Sequence, residues 1–483
     1  MLNIRFILKM LGMMCILETI FMLVATLVSF LNKGDDLNAF ISSSAMMLGT
    51  GLFLMFLGRK SNDKTAGRRE GMLIVSLTWL LLSFLGMLPY YLSGYINNIT
   101  DAFFETMSGF TTTGASILPD IEALPSGLLF WRSLTQWQGG IGVIVFTVAL
   151  LPMIGVGATQ MFDAETTGVT HERFLPRVTQ VAKRIWGVYL FLSLVLMGLL
   201  FVGPMGLSDA VNHAMTTIST GGYSTKNASI AYWDSTYTEM VMVLFMFIGS
   251  TNITLIYFFL KGDFRRLTNN EEFRWFGTIV ILATCFVSVW LFVSGTKVEG
   301  EAFTDSLFHV ITMASSSGFY TTNFTNWGAF VSLFMLIIMA ISGCAGSTSG
   351  GLKVGRFIIL TKNLFNEFRK QTHPHAIIPV RMNGHAVSVD IVQRVLAFTF
   401  AYICLILISS LLLMLNGLGG FEESIGAAVA AISNAGLGLG ELAFGNYAEV
   451  PDFSKWYLSI LMMVGRLEIF TVLTILIPGF WKQ

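Results

Sequence analysis

Four short polar segments recur along the chain at intervals of roughly a hundred residues, each interrupting sequence that is hydrophobic enough for a membrane. They contain Thr112, Thr113 and Gly114; Thr220, Gly221 and Gly222; Ser316, Ser317 and Gly318; and Asn434, Ala435 and Gly436. Glycine beside small polar residues permits backbone torsions that turn consecutive carbonyl oxygens inward, where they can replace the water around a cation. We interpret the segments as four filter loops around one axis.

The residues before each segment have the features of a short helix. An acidic residue stands 13 positions before the glycine in Asp101, Asp305 and Glu423, and Asp209 stands 12 positions before Gly221. Such a residue complements the positive end of a half-helix, whose partly negative carboxyl end then faces the loop. One segment alone could be a turn or a helix kink, but four in register favour a repeated unit of membrane helix, pore half-helix, filter loop and membrane helix.

The composition excludes a soluble globule. Of the 483 residues, 54% are hydrophobic and only 12% are charged, and the mean hydropathy is +0.69. Stretches long enough to cross a bilayer occur ten times. They are 10–31, 37–58, 71–100, 133–162, 185–208, 240–260, 275–296, 306–352, 395–421 and 456–477. The predicted fold is therefore an all-α membrane protein with four parallel pseudo-repeats around one central pore, plus two extra N-terminal helices.

The spans divide the chain into five regions. An accessory two-helix region covers 1–70, and the repeats cover 71–162, 185–260, 275–370 and 389–480. We expect the first apolar segment to be a retained helix, since a second span follows it closely, rather than a cleaved signal. The four cysteines all lie in apolar or glycine-rich segments without paired spacing, so neither a disulfide framework nor a zinc site is indicated.

The basic residues predict the orientation. If the N-terminus is cytoplasmic, 23 of the 29 Lys and Arg residues lie in inner segments and five, including Arg132, in outer ones. This asymmetry follows the positive-inside rule. The outer face is net negative and would concentrate cations at its mouth.

Two further features lie within predicted spans. The segment from Gly343 to Gly351 interrupts a span with small residues, so Gly346, Ser347, Thr348, Ser349 and Gly350 could form a movable loop below the filter. A flexible linker, a plain helix break and a phosphate-binding loop are alternatives, although Leu352 before Lys353 argues against the last. Arg466 must face water or a partner at bilayer depth. It could oppose cations in the pore or form a structural ion pair.

The chain resembles the Trk/Ktr/HKT superfamily of potassium transporters, specifically its bacterial TrkH type. The resemblance is carried by residues 131–142, 343–354 and 465–470 and extends over nearly the whole length. It implies filter loops with Gly114, Gly221, Gly318 and Gly436 at equivalent positions, and an intramembrane gate at the glycine-rich segment. It also implies a homodimer with one pore per subunit and a cytosolic nucleotide-binding partner of the TrkA type.

The loops of repeats three and four depart from the Thr-Val-Gly-Tyr-Gly pattern of potassium channels, so discrimination among potassium, rubidium and sodium is expected to be modest. We expect potassium uptake across the bacterial inner membrane, passively or with a coupled ion as in symport. Potassium at the filter is the only expected metal. We expect contact with lipid, but no covalent cofactor, nucleic-acid partner or enzymatic activity.

Three alternatives remain open at this point. A broken-helix secondary transporter of another solute would have inverted repeats, whereas these four share one orientation. The potassium-translocating subunit of an ATP-driven pump fits the length and loop pattern less well. A non-transporting scaffold would leave the four loops unexplained.

Overall fold

The computed structural model describes residues 2–61, 67–154, 178–376 and 378–481, and most of these residues are helical. The α-helices are α1 Ile4–Leu31, α2 Leu37–Gly58, α3 Arg68–Gly86, α4 Leu88–Leu92, α5 Ile99–Phe110, α6 Ser126–Ile154, α7 Val178–Val202, α8 Leu207–Ile218, α9 Thr236–Gly249, α10 Ile253–Leu260, α11 Phe264–Thr268, α12 Glu271–Val293, α13 Glu299–Ala314, α14 Ala329–Ile341, α15 Val354–Thr372, α16 Val389–Leu415, α17 Phe421–Ser433, α18 Asp452–Arg466, α19 Ile469–Leu476 and α20 Pro478–Trp481. A two-residue hairpin, β1 Arg381–Met382 and β2 His385–Ala386, precedes α16.

Four of these helices are the predicted half-helices: α5, α8, α13 and α17 each lie directly before one polar segment. Asp101, Asp209 and Glu423 lie in the first turn of theirs, as predicted. The third half-helix differs, because α13 begins at Glu299 and Asp305 therefore lies in its second turn. Asp305 instead forms an ion pair of 3.0 Å with Lys297.

Helices α1 and α2 pack against each other as an accessory pair beside α3 and α6. Glycines allow their close approach: a Cβ on Gly12 would meet the backbone of Gly51 and Met55 at 2.7 Å, a distance that real Cβ atoms do not show. The end of the predicted first repeat, residues 155–162, and the basic loop residues 62–66 lie outside the described residues.

Within the described ranges, six helices are long and apolar enough to cross a membrane, or up to eight if each bent pair counts as one span. The bent pairs are α9 with α10, which is bent by 109°, and α18 with α19, which is bent by 117°. The apolar stretch 306–352 contains the end of α13, the polar loop at 316–318, the 13-residue α14 and a non-helical segment, so it is divided at the loop and at the glycine-rich interruption, as the sequence predicted. The breaks at residues 250–252 and 467–468 were not predicted, although Ser250, Thr251 and Asn252 form a polar run and Leu467 lies between two charged residues.

Candidate functional site

Each half-helix ends in the same backbone motif. In loop 1 (Thr112–Gly114) the N–H of Thr112 donates to the carbonyl of Gly109 at 3.0 Å, and the N–H of Thr113 donates to that of Ser108 at 2.9 Å. This pair of bonds is a Schellman cap, and its first loop residue is left-handed, with φ of 54° at Thr112. The cap recurs in loop 2 (Thr220–Gly222), loop 3 (Ser316–Gly318) and loop 4 (Asn434–Gly436), where φ at the first residue is 54°, 55° and 53°.

The third residue of each loop is a glycine with positive φ: 88° at Gly114, 80° at Gly222, 79° at Gly318 and 73° at Gly436. The predicted register of loop 2 was therefore wrong by one residue, since Gly222 and not Gly221 is equivalent to the other three glycines. With this correction the acidic residue stands 13 positions before the glycine in all four repeats, Asp209 included. Gly221 takes the middle position, like Thr113, Ser317 and Ala435.

The four loops close into a ring. A Cβ added to the glycine of any loop would collide with the carbonyl oxygen of the middle residue of the next loop. The contacts run from Gly114 to Gly221, from Gly222 to Ser317, from Gly318 to Ala435 and from Gly436 back to Thr113. Glycine is required at these four positions for two reasons. The backbone φ of each residue is positive, and no side chain fits between adjacent loops.

A buried ion pair lies behind loop 1. Arg132 Nε donates to Glu105 Oε1 at 2.8 Å, and both side chains are essentially inaccessible, with 1% and 0% of their surface exposed. The guanidinium also donates to the carbonyl of Ser224 at 3.0 Å and to Ser116 Oγ at 3.2 Å. Arg132 was expected in an outer segment, but the structure places it inside the packed protein. Arg132 therefore connects the first half-helix, α5, to the residues that follow loop 1 and loop 2.

Loop 2 is held by side chains from repeat one. Gln136 Nε2 donates to the carbonyl of Gly221 at 2.7 Å, and Gln136 Oε1 accepts from the N–H of Tyr223 at 3.0 Å. The Tyr223 hydroxyl donates to the carbonyl of Glu105 at 2.7 Å, and the Arg132 guanidinium lies 4.1 Å from the centroid of the Tyr223 ring. These contacts fix the positions of the first two loops relative to each other.

The corrected register aligns a position nine residues before each loop glycine, occupied by Glu105, His213, His309 and Ala427. The Glu105 carboxylate accepts from the N–H of Ile117 at 2.9 Å, beyond loop 1. His213 Nε2 lies 3.0 Å from Ser224 Oγ, and His309 Nε2 lies 3.1 Å from the carbonyl of Thr322. Three repeats therefore use a polar side chain to tie the half-helix to the chain beyond its loop.

The glycine-rich segment between α14 and α15 lies directly against loops 2 and 3. Thr348 Oγ1 lies 3.1 Å from the carbonyl oxygens of both Ile218 and Gly249. The N–H of Gly350 donates to Ser316 Oγ at 3.0 Å, so the segment contacts the first residue of loop 3. The predicted segment is therefore adjacent to the ring and well anchored by hydrogen bonds, and it is not a free linker.

Arg466 ends α18 and reaches this segment. Its Nη1 donates to the carbonyl of Thr348 at 2.6 Å, and its Nη2 donates to the carbonyl of Gly139 in α6 at 2.7 Å. Glu468 pairs with Arg356 at 2.6 Å, and the Arg356 guanidinium lies 3.9 Å from the centroid of Phe398. Arg466, at the end of α18 in repeat four, thus connects to α6 of repeat one and to the glycine-rich segment of repeat three.

A second carboxylate holds both ends of the glycine-rich segment, and it was not singled out in the sequence. Glu272 Oε1 accepts from the N–H of Ala345 at 2.7 Å and from that of Gly355 at 2.9 Å. From the adjacent break in the second repeat, Asn252 Nδ2 donates to the carbonyl of Ala345 at 2.8 Å. The only sequence signal for Glu272 was an acidic residue at the start of an apolar helix.

The structure thus brings all twelve predicted loop residues into one ring and places the five glycine-rich residues and Arg466 beside it. Among the described residues, no group of three or more His, Cys, Asp or Glu side chains could hold a metal ion.

A multi-pass helical chain with four capped half-helices and a closed ring of loops has the architecture of a membrane cation-transport protein. The family model for TrkH, described as a cation transport protein, matches residues 38–481, so the chain belongs to the TrkH family. This is a family of transporters and not of enzymes.

The chain is 36% identical to the Trk system potassium uptake protein TrkH of Vibrio parahaemolyticus, over 99% of both chains. It is 34% identical to the protein of that name from Escherichia coli K12, again over 99% of both. The crystal structure of the potassium transporter TrkH from Vibrio parahaemolyticus covers 100% of both chains with a TM-score of 0.90 and 33% identity. The likeness therefore includes the accessory helices and all four repeats.

Proposed function

We propose that the chain takes up potassium through a pathway that passes the ring of four loops, with the twelve loop residues as its selectivity filter. The single observation that carries this proposal is the closed sequence of contacts from Gly114 through Gly222 and Gly318 to Gly436. The relatives that match over their full length are named potassium uptake proteins, which supports potassium as the transported ion.

The physical basis of selectivity is the replacement of water by fixed oxygens. A monovalent cation that sheds water in the ring is compensated by loop oxygens and by the partly negative carboxyl ends of α5, α8, α13 and α17. The Schellman caps and the contacts of Gln136 and Arg132 limit how far the loops can adjust to a smaller ion. Since loops 3 and 4 lack the potassium-channel sequence, rubidium and some sodium should also pass.

We further infer that residues 346–350 and Arg466 gate the pathway. The segment lies against loops 2 and 3, and a guanidinium that binds Thr348 holds it there with a positive charge that opposes cations. Opening would require the bond between Arg466 and Thr348 to break, together with those of Thr348 to Ile218 and Gly249.

For the cellular setting we propose the bacterial inner membrane with a cytoplasmic N-terminus, as the distribution of basic residues indicates. We also propose a homodimer and a cytosolic nucleotide-binding partner of the TrkA type. The match to the TrkH family over residues 38–481 argues against a secondary transporter of another solute, a pump subunit and a scaffold.

Radioactive rubidium uptake into liposomes, with sodium competition and an imposed voltage, tests this function. We expect voltage-driven rubidium uptake that potassium inhibits more strongly than sodium does. Uptake that requires a proton or sodium gradient would identify coupling. No ion uptake by folded protein, or equal inhibition by sodium, would contradict the proposal. Gly222→Ala, which should deform the ring of loops and so lose the preference for potassium over sodium, is the control variant.

A further inference from the structure

A second polar cluster lies away from the ring, between the accessory helix α1 and the first repeat. Glu18 of α1, Thr78 of α3 and Gln138 of α6 line a cavity of about 60 Å³. Their side chains are 5%, 4% and 8% exposed. The proposed ion pathway uses none of these three residues.

Four buried polar atoms at this cavity have no hydrogen bond of ordinary geometry among the residues the structure describes: Glu18 Oε1, Thr78 Oγ1, and Nε2 and Oε1 of Gln138. The Glu18 carboxyl and the Gln138 amide are close enough to interact with each other, so Thr78 Oγ1 and the remaining lone pairs and protons of this pair face the cavity. Burial of unpaired polar atoms is costly, and an ionisable group in a membrane helix is still more so. Three polar side chains from three different helices thus converge on one cavity, where they could hydrogen-bond to a ligand.

The residues that line the rest of the cavity indicate the chemical class of such a ligand. They are mainly apolar and aromatic, formed by Met14, Leu17, Phe21, Trp79, Leu82 and Phe110. Leu17, Phe21 and Leu82 are only partly buried, so the cavity adjoins the apolar surface of the protein. One carboxyl group beside aromatic rings suits an ammonium group, through a charge-assisted hydrogen bond and cation–π attraction, while the apolar walls suit an alkyl chain.

We propose that Glu18, Thr78 and Gln138 form a binding site for the protonated head of an alkyl amine that enters from the bilayer. Glu18 Oε1 accepts from the ammonium group, Thr78 Oγ1 and Gln138 Oε1 accept its other protons, and the chain lies along Leu17, Phe21 and Leu82. A cavity of this size holds an ammonium group and its first carbons.

The site adjoins the parts of the protein that we assign to gating. Gly139 lines the cavity, and its carbonyl accepts from Arg466 Nη2 at 2.7 Å. Phe110, which also lines it, is the last residue of the first half-helix. An occupant would therefore restrain the α6 segment that Arg466 holds. This consequence rests on the proposed function, whereas the binding site itself does not.

Photolabelling tests the site without any transport measurement. The protein in liposomes is irradiated with an alkyl amine that carries a diazirine in its chain, and labelled peptides are mapped by mass spectrometry. We expect labels on α1 and α3 near Met14 and Trp79, which octylamine displaces and octanol or octanoate does not. Glu18→Gln should reduce labelling by about tenfold, as loss of a charge-assisted hydrogen bond predicts. Thr78→Val should reduce it less.

Glu239→Gln, which changes a carboxyl group in the first turn of α9, is the matched control and should label like the unmodified chain. Equal displacement by octanol, or undiminished labelling of folded Glu18→Gln protein, would overturn the amine site. The same liposomes report rubidium uptake with and without octylamine. An octylamine effect that Glu18→Gln removes supports the link to the gate. An effect of equal size in both proteins, or none in either, refutes that link and leaves the labelling result intact.

Discussion

The carbonyl oxygen of Thr348 lies 2.6 Å from Nη1 of Arg466, although the two residues are 118 positions apart. The same guanidinium also binds the carbonyl of Gly139. One side chain from repeat four therefore joins the glycine-rich segment of repeat three to a helix of repeat one. Since Thr348 in turn lies against the carbonyls of Ile218 and Gly249 in repeat two, all four repeats meet at this point.

Replacement of Arg466 by Ala should raise rubidium flux. The change removes two charged hydrogen bonds, each of about 1.5–3 kcal/mol, and a positive charge beside the pathway. We expect flux several-fold above that of the unmodified protein. Arg266→Ala, which breaks a surface pair with Asp263, is the control and should leave flux unchanged. Unchanged or lower flux through correctly folded Arg466→Ala protein would count against a gating role.

Loop 2 offers a matched pair of glycine substitutions. In Gly222→Ala the new Cβ meets the carbonyl oxygen of Ser317 at a positive φ, so the ring itself must deform. In Gly221→Ala the Cβ meets the side chain of Gln136, which can move. We expect Gly222→Ala to abolish potassium preference over sodium and Gly221→Ala to weaken it only partly. Competition assays give the relative permeability of potassium and sodium for both variants. A larger loss of preference in Gly221→Ala than in Gly222→Ala would support the register that the sequence suggested, with Gly221 equivalent to the other three glycines.

Gly114→Ser tests the first loop in the same way. The added side chain would meet the carbonyl oxygen of Gly221 at a residue with φ of 88°. The two loops must move apart, which disturbs the fixed oxygen positions that favour potassium, so we expect weaker preference for potassium over sodium. Reversal potentials with the two ions on opposite sides report the ratio. A ratio equal to that of the unmodified protein would remove Gly114 from the account of selectivity.

The repeated unit could be predicted because its signals are local: a glycine, small polar neighbours and an acidic residue at fixed spacing. The register of loop 2 could not be assigned with the same method, because Gly221 and Gly222 are adjacent and residue type alone does not give φ. The uniform spacing of 13 residues was the signal that would have selected Gly222.

The supporting contacts could not be predicted, because they join residues far apart in the sequence. Arg132 looked like an outer charge, and only the fold shows Glu105 beside it. Similarly, the helix breaks near Ser250 and Leu467 occur without proline, at short polar runs that do not by themselves distinguish a break from a continuous helix. They are defined by partners such as Asn252 with Ala345, which lie in different repeats.

The buried pair behind loop 1 should contribute strongly to stability. Arg132→Ala leaves the Glu105 carboxylate buried without its charged partner, a change that typically costs about 3–5 kcal/mol. We expect a clearly lower melting temperature and, in protein that still folds, weaker ion discrimination because loops 1 and 2 lose their common support. Lys226→Ala, which breaks the more exposed pair with Glu122, should change the melting temperature little. Equal melting temperatures for the two variants would refute this assignment.

Two adjacent carboxylates at the start of α12 allow a sharp test of how the glycine-rich segment is held. Glu272 accepts from the N–H groups of Ala345 and Gly355, at the two ends of that segment, whereas Glu271 pairs with Lys362 on the side of α15. Glu272→Ala leaves both N–H groups without their acceptor and should free the segment, so we expect rubidium flux to rise. Glu271→Ala should alter flux little. Faster hydrogen exchange at residues 345–355 in the first variant alone would show directly that the segment has loosened. If flux rises equally in both variants, or exchange at these residues stays unchanged in Glu272→Ala, then Glu272 does not hold the segment in place.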